Sequence, residues 1–259
     1  LIPDDERPRY GIDEPLLRRD LDWFVDDLYR DATSNGATMI VSPFSRFVVD
    51  LNRFHDDVAP QVVAGSKTNT SDGYYGVRGV IWGVTTRGEQ IYPTPLSREA
   101  YNLRLDRYYW PYHRALQAAL HEARERFGFA ILVDAHSMPS RATAQHADAG
   151  ATRADVVPGD VLGTSCGPGL TRTVCRFWER RGFSVSLNQP YRGGGISRTY
   201  GRPAEHLHAI QIEMNRARYM DESALAPAAG FDGIRALCGT LTGQLAELSE
   251  ADLNAEVNG

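Results

Sequence analysis

The sequence predicts an α/β domain, with a mixed, mostly parallel twisted sheet flanked by helices. Three observations carry this. Apolar runs of strand length alternate with longer segments of helical period, the pattern of layered α/β folds. The chain has 259 residues, 42% of them hydrophobic, enough for one large core. No internal repeat and no linker-like stretch interrupts it, so a single domain over 1–259 is expected.

The elements follow in order. Residues 16–30, LLRRDLDWFVDDLYR, set Leu17, Leu21, Phe24, Val25 and Leu28 on one helical face, and Asn35-Gly36 supplies a stop. Two apolar runs, 37–41 and 47–51, parted by Ser42-Pro43, read as strands. Residues 59–95 are rich in Gly, Thr, Ser, Asp and Pro, with one β-rich segment, GVIWGVTT, and a turn at Arg87-Gly88. Their length predicts a surface excursion of the kind that carries function. Pro95 and Ser97 open a long helix over 97–127, with Tyr101, Leu105, Tyr108, Tyr112, Leu116 and Leu120 as its stripe and a kink at Pro111. Residues 129–135 read as a strand, 140–168 as a polar loop, 169–181 as a helix and 183–188, FSVSLN, as a strand. YRGGGISRTYGRP reads as a glycine-rich loop and 207–215 as a strand. A helix over 231–249 follows, with Ile234, Leu237, Leu241 and Leu245 at helical spacing.

Composition narrows the function. The net charge is -5 and no Lys/Arg run reaches five, which argues against a nucleic-acid partner. Lys67 is the only lysine, a skew read as base-composition bias, although single guanidiniums can still grip carboxylates. Cys166, Cys175 and Cys238 are odd in number and lack C-x-x-C spacing. That points to a reducing compartment, the cytoplasm, and away from a disulfide framework or a cysteine-rich zinc site. No apolar run nears the ~18 residues of a membrane span. The opening LIPDDERPRY carries neither a signal-peptide pattern nor an initiator Met.

Ligands of α/β sheets bind at the carboxyl ends of strands. Three predicted strand ends carry chemistry: Asn52-Arg53, Asp134 with His136-Ser137, and Glu213 with Asn215. Each alone has an ordinary structural reading, as a satisfied histidine, a paired carboxylate or a bonded loop. Together they place an imidazole, a carboxylate and a guanidinium on one rim, the set that binds a metal, activates water and holds an anion. Strand alternation puts Asp134 and His136 on one side, so that Asp134 can orient the imidazole. It also sets Ala209, Gln211 and Glu213 opposite to Ile210 and Ile212.

Here the sequence resembles a known family. DLDWFVDDLY, SRFVVDLNR, YWPYHRAL, DAHS and above all GGGISRTYGRPAEHLHAIQIEMNRARYMDE look like N-formylglutamate amidohydrolases, in family order from about Asp20 to Glu222. The resemblance implies a fold similar to zinc carboxypeptidases and aspartoacylases, one catalytic zinc, and hydrolysis of N-formyl-L-glutamate in histidine degradation. It implies His136 as a zinc ligand and Glu213 as the glutamate that activates water. Asn52 and Arg53 match a pair that holds the substrate carboxylate or the oxyanion. Arg46 and Arg198 are candidates for the second carboxylate, with a structural ion pair as the alternative. Asp22 is favoured as the acidic ligand and Asp20 is the reserve; the other reading of both is charge at a helix N-terminus. His121 reads as solvated and His113 as a packing residue. His206 and His208 remain minor ligand candidates. The triple glycine at 193–195 lacks the spacing of a phosphate cradle and reads as a loop pressed against the site.

The family's Pro-His-Ser-Gly-type motif, which supplies the first zinc histidine, is absent from these residues. A further strand upstream of Leu1 is therefore expected. The expected partner is a small N-acyl amino acid. Rival readings are a related N-acyl-amino-acid hydrolase, a carboxypeptidase-like enzyme, or a non-catalytic amino-acid-binding domain.

Overall fold

The structure, a computed structural model, describes residues 1–67 and 75–255. Among them the helices are α1 (Glu14–Arg18), α2 (Val25–Tyr29), α3 (Arg98–Arg104), α4 (Trp110–Phe127), α5 (Pro168–Glu179), α6 (Gly195–Tyr200), α7 (Phe231–Ala246) and α8 (Glu250–Asn254). The strands are β1 (Ala130–Met138), β2 (Val156–Gly159), β3 (Leu207–Asn215), and a short pair, β4 (Met220–Asp221) and β5 (Ala226–Pro227). Packing divides the chain into two compact units. The first comprises Leu1–Leu21, Ser42–Leu116 and Thr143–Ala149; the second comprises Asp22–Val41, Gln117–Ala142 and Gly150–Gly259. No helix among the described residues is long and apolar enough to cross a membrane.

The second unit is built on a small mixed sheet in the order β1-β3-β2. β1 runs parallel to β3, and β2 runs antiparallel to it. β3 is therefore bonded on both sides, and every residue of it is buried. Its even positions, Ile210, Ile212 and Met214, enter one apolar cluster with Leu170, Val174, Phe177 and Trp178 of α5 and Ile234, Cys238, Leu241 and Leu245 of α7. Ile131, Val133 and Ala135 of β1 pack on the same cluster. Both helices show the i, i+3, i+4 spacing that makes such a stripe. The opposite face of the sheet is left to the odd positions of β3 and the even positions of β1.

Three readings of this unit need correction. The polar loop 140–168 contains β2, because a sheet edge tolerates the Pro158-Gly159 pair that reads as a breaker. FSVSLN does not form a strand of its own and touches β2 through a single bridge at Val185. The glycine-rich loop winds into α6. Its glycines answer a close approach: a Cβ on Gly159 would lie 2.7 Å from the backbone of Arg192 and Gly193, and Gly193 itself has φ +112°.

The first unit has its own core, in which Phe47, Val48, Val63, Val80, Ile81 and Ile91 are fully enclosed. The run 47–51 is not a strand, and neither is 37–41 in the second unit. Side chains replace the missing ladder at 47–48. The Phe47 carbonyl accepts from Tyr10 and Tyr92 hydroxyls, both at 2.9 Å, and the Val48 carbonyl accepts from Arg104 at 3.1 Å. The stretch 59–95, expected as a surface excursion, sends Val62, Val63, Val80, Ile81, Trp82, Ile91 and Tyr92 into the core, while Ala64, Gly65, Arg87, Gly88 and 93–95 are exposed; part of it, 68–74, lies outside the described residues. Its GVIWGVTT segment makes isolated bridges around the turn at Gly88, whose φ is +91°.

The helix expected over 16–30 is two short helices, broken where Phe24 takes φ 61°. The helix expected over 97–127 starts at a Ser97 cap, whose Oγ accepts from Ala100 N at 3.1 Å. It continues as α3, a π-helical turn over Leu105–Tyr109, and α4. The wider turn precedes Pro111, which lacks the N–H that a regular α-helix would use.

Arg104 on α3 is fully buried. Its guanidinium bonds Glu6 Oε2 at 2.7 and 3.1 Å and the Tyr92 hydroxyl at 2.7 Å. Arg104→Met leaves the Glu6 carboxylate buried with its main partner gone. A loss of about 3 kcal/mol is expected, read from urea unfolding; a loss under about 1 kcal/mol sets the pair aside as a stabilising contact.

Candidate active site

The register of β1 on β3 sets His136 opposite Glu213 and Asp134 opposite Gln211. Residues opposed in a parallel pair point to one face, so these four share the face turned from the apolar cluster. The imidazole lies between two carboxylates. Nε2 is 2.9 Å from Asp134 Oδ1 and Nδ1 is 3.4 Å from Asp22 Oδ2. Asp22 reaches this position because the chain breaks between α1 and α2. A continuous helix through 16–30 would have given it a surface position beside Asp26.

The other Asp22 oxygen is held firmly. Oδ1 accepts from the Ser137 backbone N–H at 3.0 Å and from Ser137 Oγ at 3.4 Å, with Arg216 Nη2 4.0 Å away. Arg216 in turn donates through Nε to Ser137 Oγ at 3.1 Å and through Nη2 to the Ser137 carbonyl at 3.3 Å. Glu213 is buried and fixed as well. Gln211 Nε2 donates to its Oε1 at 2.9 Å, while Gln211 Oε1 accepts from Gly194 N at 2.9 Å. That second bond orients the Gln211 amide, so that it is the NH2 end that meets Glu213.

Burial lowers the His136 pKa, but Asp134 and then Asp22 outweigh it and hold it well above the ordinary histidine range. Asp134 Oδ2 is buried without a hydrogen-bond partner. A neutral imidazole has one N–H, and Asp134 receives it at 2.9 Å. With its pKa held up, the ring also carries a proton on Nδ1 that it donates to Asp22 Oδ2, the proton that a metal ion bound there would replace. Two ligands of one tetrahedral zinc, each ~2.0–2.1 Å from the ion, stand about 3.3 Å apart. The Asp22–His136 separation of 3.4 Å matches, so these two residues fit as zinc ligands, with Asp134 as the partner that orients the ring. Among the described residues, no group of three or more His, Cys, Asp or Glu is placed to hold a metal.

Comparison with known proteins identifies the family. The profile of N-formylglutamate amidohydrolases matches residues 1–220. The chain belongs to the N-formylglutamate amidohydrolase family. It is 36% identical to the N-formylglutamate deformylase of Pseudomonas putida over 215 residues, 82% of this chain and 75% of that protein. Identity to the N-formylglutamate deformylase of Pseudomonas aeruginosa is 34%, over 82% of this chain and 76% of that one. The crystal structure of N-formylglutamate amidohydrolase from Ralstonia eutropha aligns with a TM-score of 0.87 at 32% identity, covering 95% of this chain and 89% of that one. A gene product from Agrobacterium tumefaciens, at 18% identity and a TM-score of 0.66, shares the fold.

In this amidohydrolase-family chain the remaining candidates fall in two places. Arg198 sits on α6 in the second unit. Asn52, Arg53 and Arg46 belong to the first unit. There Arg53 donates to the Arg78 carbonyl at 3.3 Å and the Asn52 carbonyl at 2.9 Å, with its guanidinium 3.7 Å from the Tyr75 ring centre. Arg46 lies 5.3 Å from the Trp82 ring centre and bonds the Asp20 carbonyl. His113 is buried, bonds the Leu51 carbonyl at 3.1 Å and stacks on Tyr109. His121 is exposed, and His206 pairs with Glu250. His208 is buried, accepts from Gly167 N at 3.0 Å, and burial lowers its pKa.

The reserve ligand Asp20 is corrected by the structure. Its carboxylate is taken up by Thr86, with Oδ2 accepting from the backbone N at 2.8 Å and Oδ1 from Oγ1 at 2.6 Å. Sequence reading missed Gln211, Ser137 and Arg216 as the groups that hold Glu213 and Asp22. The signal for Ser137 and Gln211 was their place beside His136 and Glu213. Arg216 had none, since one arginine past a strand end looks like any other. Asp20→Asn is expected to cost about 1–3 kcal/mol in urea unfolding, through the buried Thr86 groups it leaves short of an acceptor. It should leave bound zinc per chain unchanged, and loss of zinc would return Asp20 to the ligand set.

Proposed function

We propose that this chain hydrolyses the amide bond of N-formyl-L-glutamate to formate and L-glutamate, at a late step of histidine degradation. The observation that carries the reading is the placement of His136, Asp22 and Glu213 on one face of the sheet. Relatives that bear the deformylase name at 34–36% identity support the substrate. His136 and Asp22 would hold zinc, in the manner of zinc carboxypeptidases and aspartoacylases. Bound there, zinc would supply Lewis acidity and bring water toward a pKa of ~7.

The chain's own groups do the rest. Glu213, kept in place by Gln211, takes a proton from water as its oxygen attacks the formyl carbon. The same carboxyl returns that proton to the amide nitrogen as the C–N bond breaks, so the amine leaves neutral. Asp134 holds the His136 ring in one orientation and one tautomer. Asn52 and Arg53 are assigned to a substrate carboxylate or the developing oxyanion, and Arg46 and Arg198 to the second carboxylate, on the planar donor forks they present. The odd number of cysteines, all three free, supports a reducing compartment and the cytoplasm.

The test is formate release from N-formyl-L-glutamate by the purified chain, with N-acetyl-L-glutamate as competitor. Faster turnover of the acetyl compound overturns the formyl assignment in favour of another N-acyl hydrolase. Glu213→Gln keeps the shape but cannot accept the proton. A 10²–10⁴-fold fall in kcat is expected, with zinc content unchanged; near-native kcat removes Glu213 from the chemistry. Arg53→Lys keeps charge but loses the fork. A fall of more than about 1 kcal/mol in kcat/KM supports a substrate contact, and a smaller one assigns the residue to structure.

A further inference from the structure

We propose that Arg216, acting through Ser137, is the positioning residue that makes Asp22 a zinc-holding carboxylate. The inference rests on the zinc reading above and extends it to a residue outside the ligand set.

Asp22 enters the site from an irregular segment, since the chain between α1 and α2 has no regular bonding to fix its direction. A carboxylate on such a segment can rotate and offer either oxygen. Here the choice is removed, because both bonds of Ser137 to Asp22 go to Oδ1, through N–H at 3.0 Å and Oγ at 3.4 Å. That leaves Oδ2 as the oxygen turned to His136 Nδ1. Ser137 is the residue after His136 on β1, so the clamp is tied to the strand that carries the imidazole.

Ser137 is itself clamped. Its hydroxyl and its carbonyl both accept from the Arg216 guanidinium, at 3.1 and 3.3 Å. A hydroxyl has a single proton. With its lone pairs facing Arg216, that proton is directed to Asp22 Oδ1. Arg216 is buried, 5% exposed, so its charge is not spread into water. It stands 4.0 Å from the same Asp22 oxygen. Arg216 follows directly on β3, two strand positions beyond Glu213 and one residue further, so both neighbouring strands meet in this clamp. Outer partners of metal ligands commonly matter at the level of 10–100-fold in affinity.

The experiment is a zinc titration of the chelator-stripped chain against a competing chromophoric chelator, on wild type, Arg216→Met, Arg216→Lys, Ser137→Ala and Arg218→Ala, with unfolding measured in parallel. Arg218 is a control: it pairs with Asp155 at 3.3 Å and its side chain is 46% exposed. Expected are a 10–100-fold weaker zinc Kd for Arg216→Met, a smaller loss for Arg216→Lys and Ser137→Ala, and no change for Arg218→Ala. At saturating zinc, kcat of Arg216→Lys should recover to near wild type, which separates a ligand-positioning role from a contact with the reacting atoms. If Arg216→Met does not fold, Arg216→Lys and Ser137→Ala decide by the same reading. Folded variants that bind zinc as tightly as wild type overturn this inference and leave the zinc reading intact. A wild-type chain that binds no zinc overturns both.

Discussion

The parallel pairing of β1 with β3 is the constraint on which the site depends. It puts apolar residues Val133 and Ala135 beside Ile210 and Ile212, on the face that packs against α5 and α7. The same register puts His136 beside Glu213 on the other face. The two outcomes cannot be separated. A slip of one residue would turn Glu213 and Gln211 into the apolar cluster and Ile212 out of it. The hydrophobic effect, which is non-directional, thereby sets a polar geometry to within a hydrogen bond.

Around that face the unit concentrates negative charge. Asp22, Asp134 and Glu213 are brought close to a single imidazole and to one buried guanidinium. Each carboxylate is met by fixed donors: Ser137 on Asp22, the His136 ring on Asp134, Gln211 on Glu213. These bonds limit the desolvation cost but do not balance the charge. The first unit shows the contrasting case, where the buried Glu6 carboxylate is met by the buried Arg104 at 2.7 Å and by Arg9 at 3.1 Å. An enclosed ion pair of that kind is structure.

Much of this was readable in the order of residues. β3 begins and ends where its alternation says, and β1, α5 and α7 follow from their periods with small shifts at the ends. DAHS at the close of β1 and the glutamate inside LHAIQIEMN are chemically unusual in apolar strands, and the long glycine-to-glutamate block carries the family resemblance. These are local properties. A strand's period, a polar residue where an apolar one is due and a run of matching residues need no knowledge of what lies across the fold.

Other features depend on partners distant in sequence, and here the residues alone leave the question open or mislead. The run 47–51 has the composition of a strand, yet its Phe47 and Val48 carbonyls are met by Tyr10, Tyr92 and Arg104. Periodicity reports burial, and burial does not say what bonds the backbone. Asp20 and Asp22 both also read as charge at a helix N-terminus. The break at Phe24 and the positions of Thr86 and Ser137 send one carboxylate to a turn and the other to His136. Sequence by itself thus determined β1 and β3, their faces, the family and the pair His136 and Glu213, because these follow from local pattern. Only the tertiary structure decided which aspartate meets the histidine and that Arg216 holds it through Ser137, because a hydrogen bond between residues 79 or 115 positions apart has no trace in local pattern.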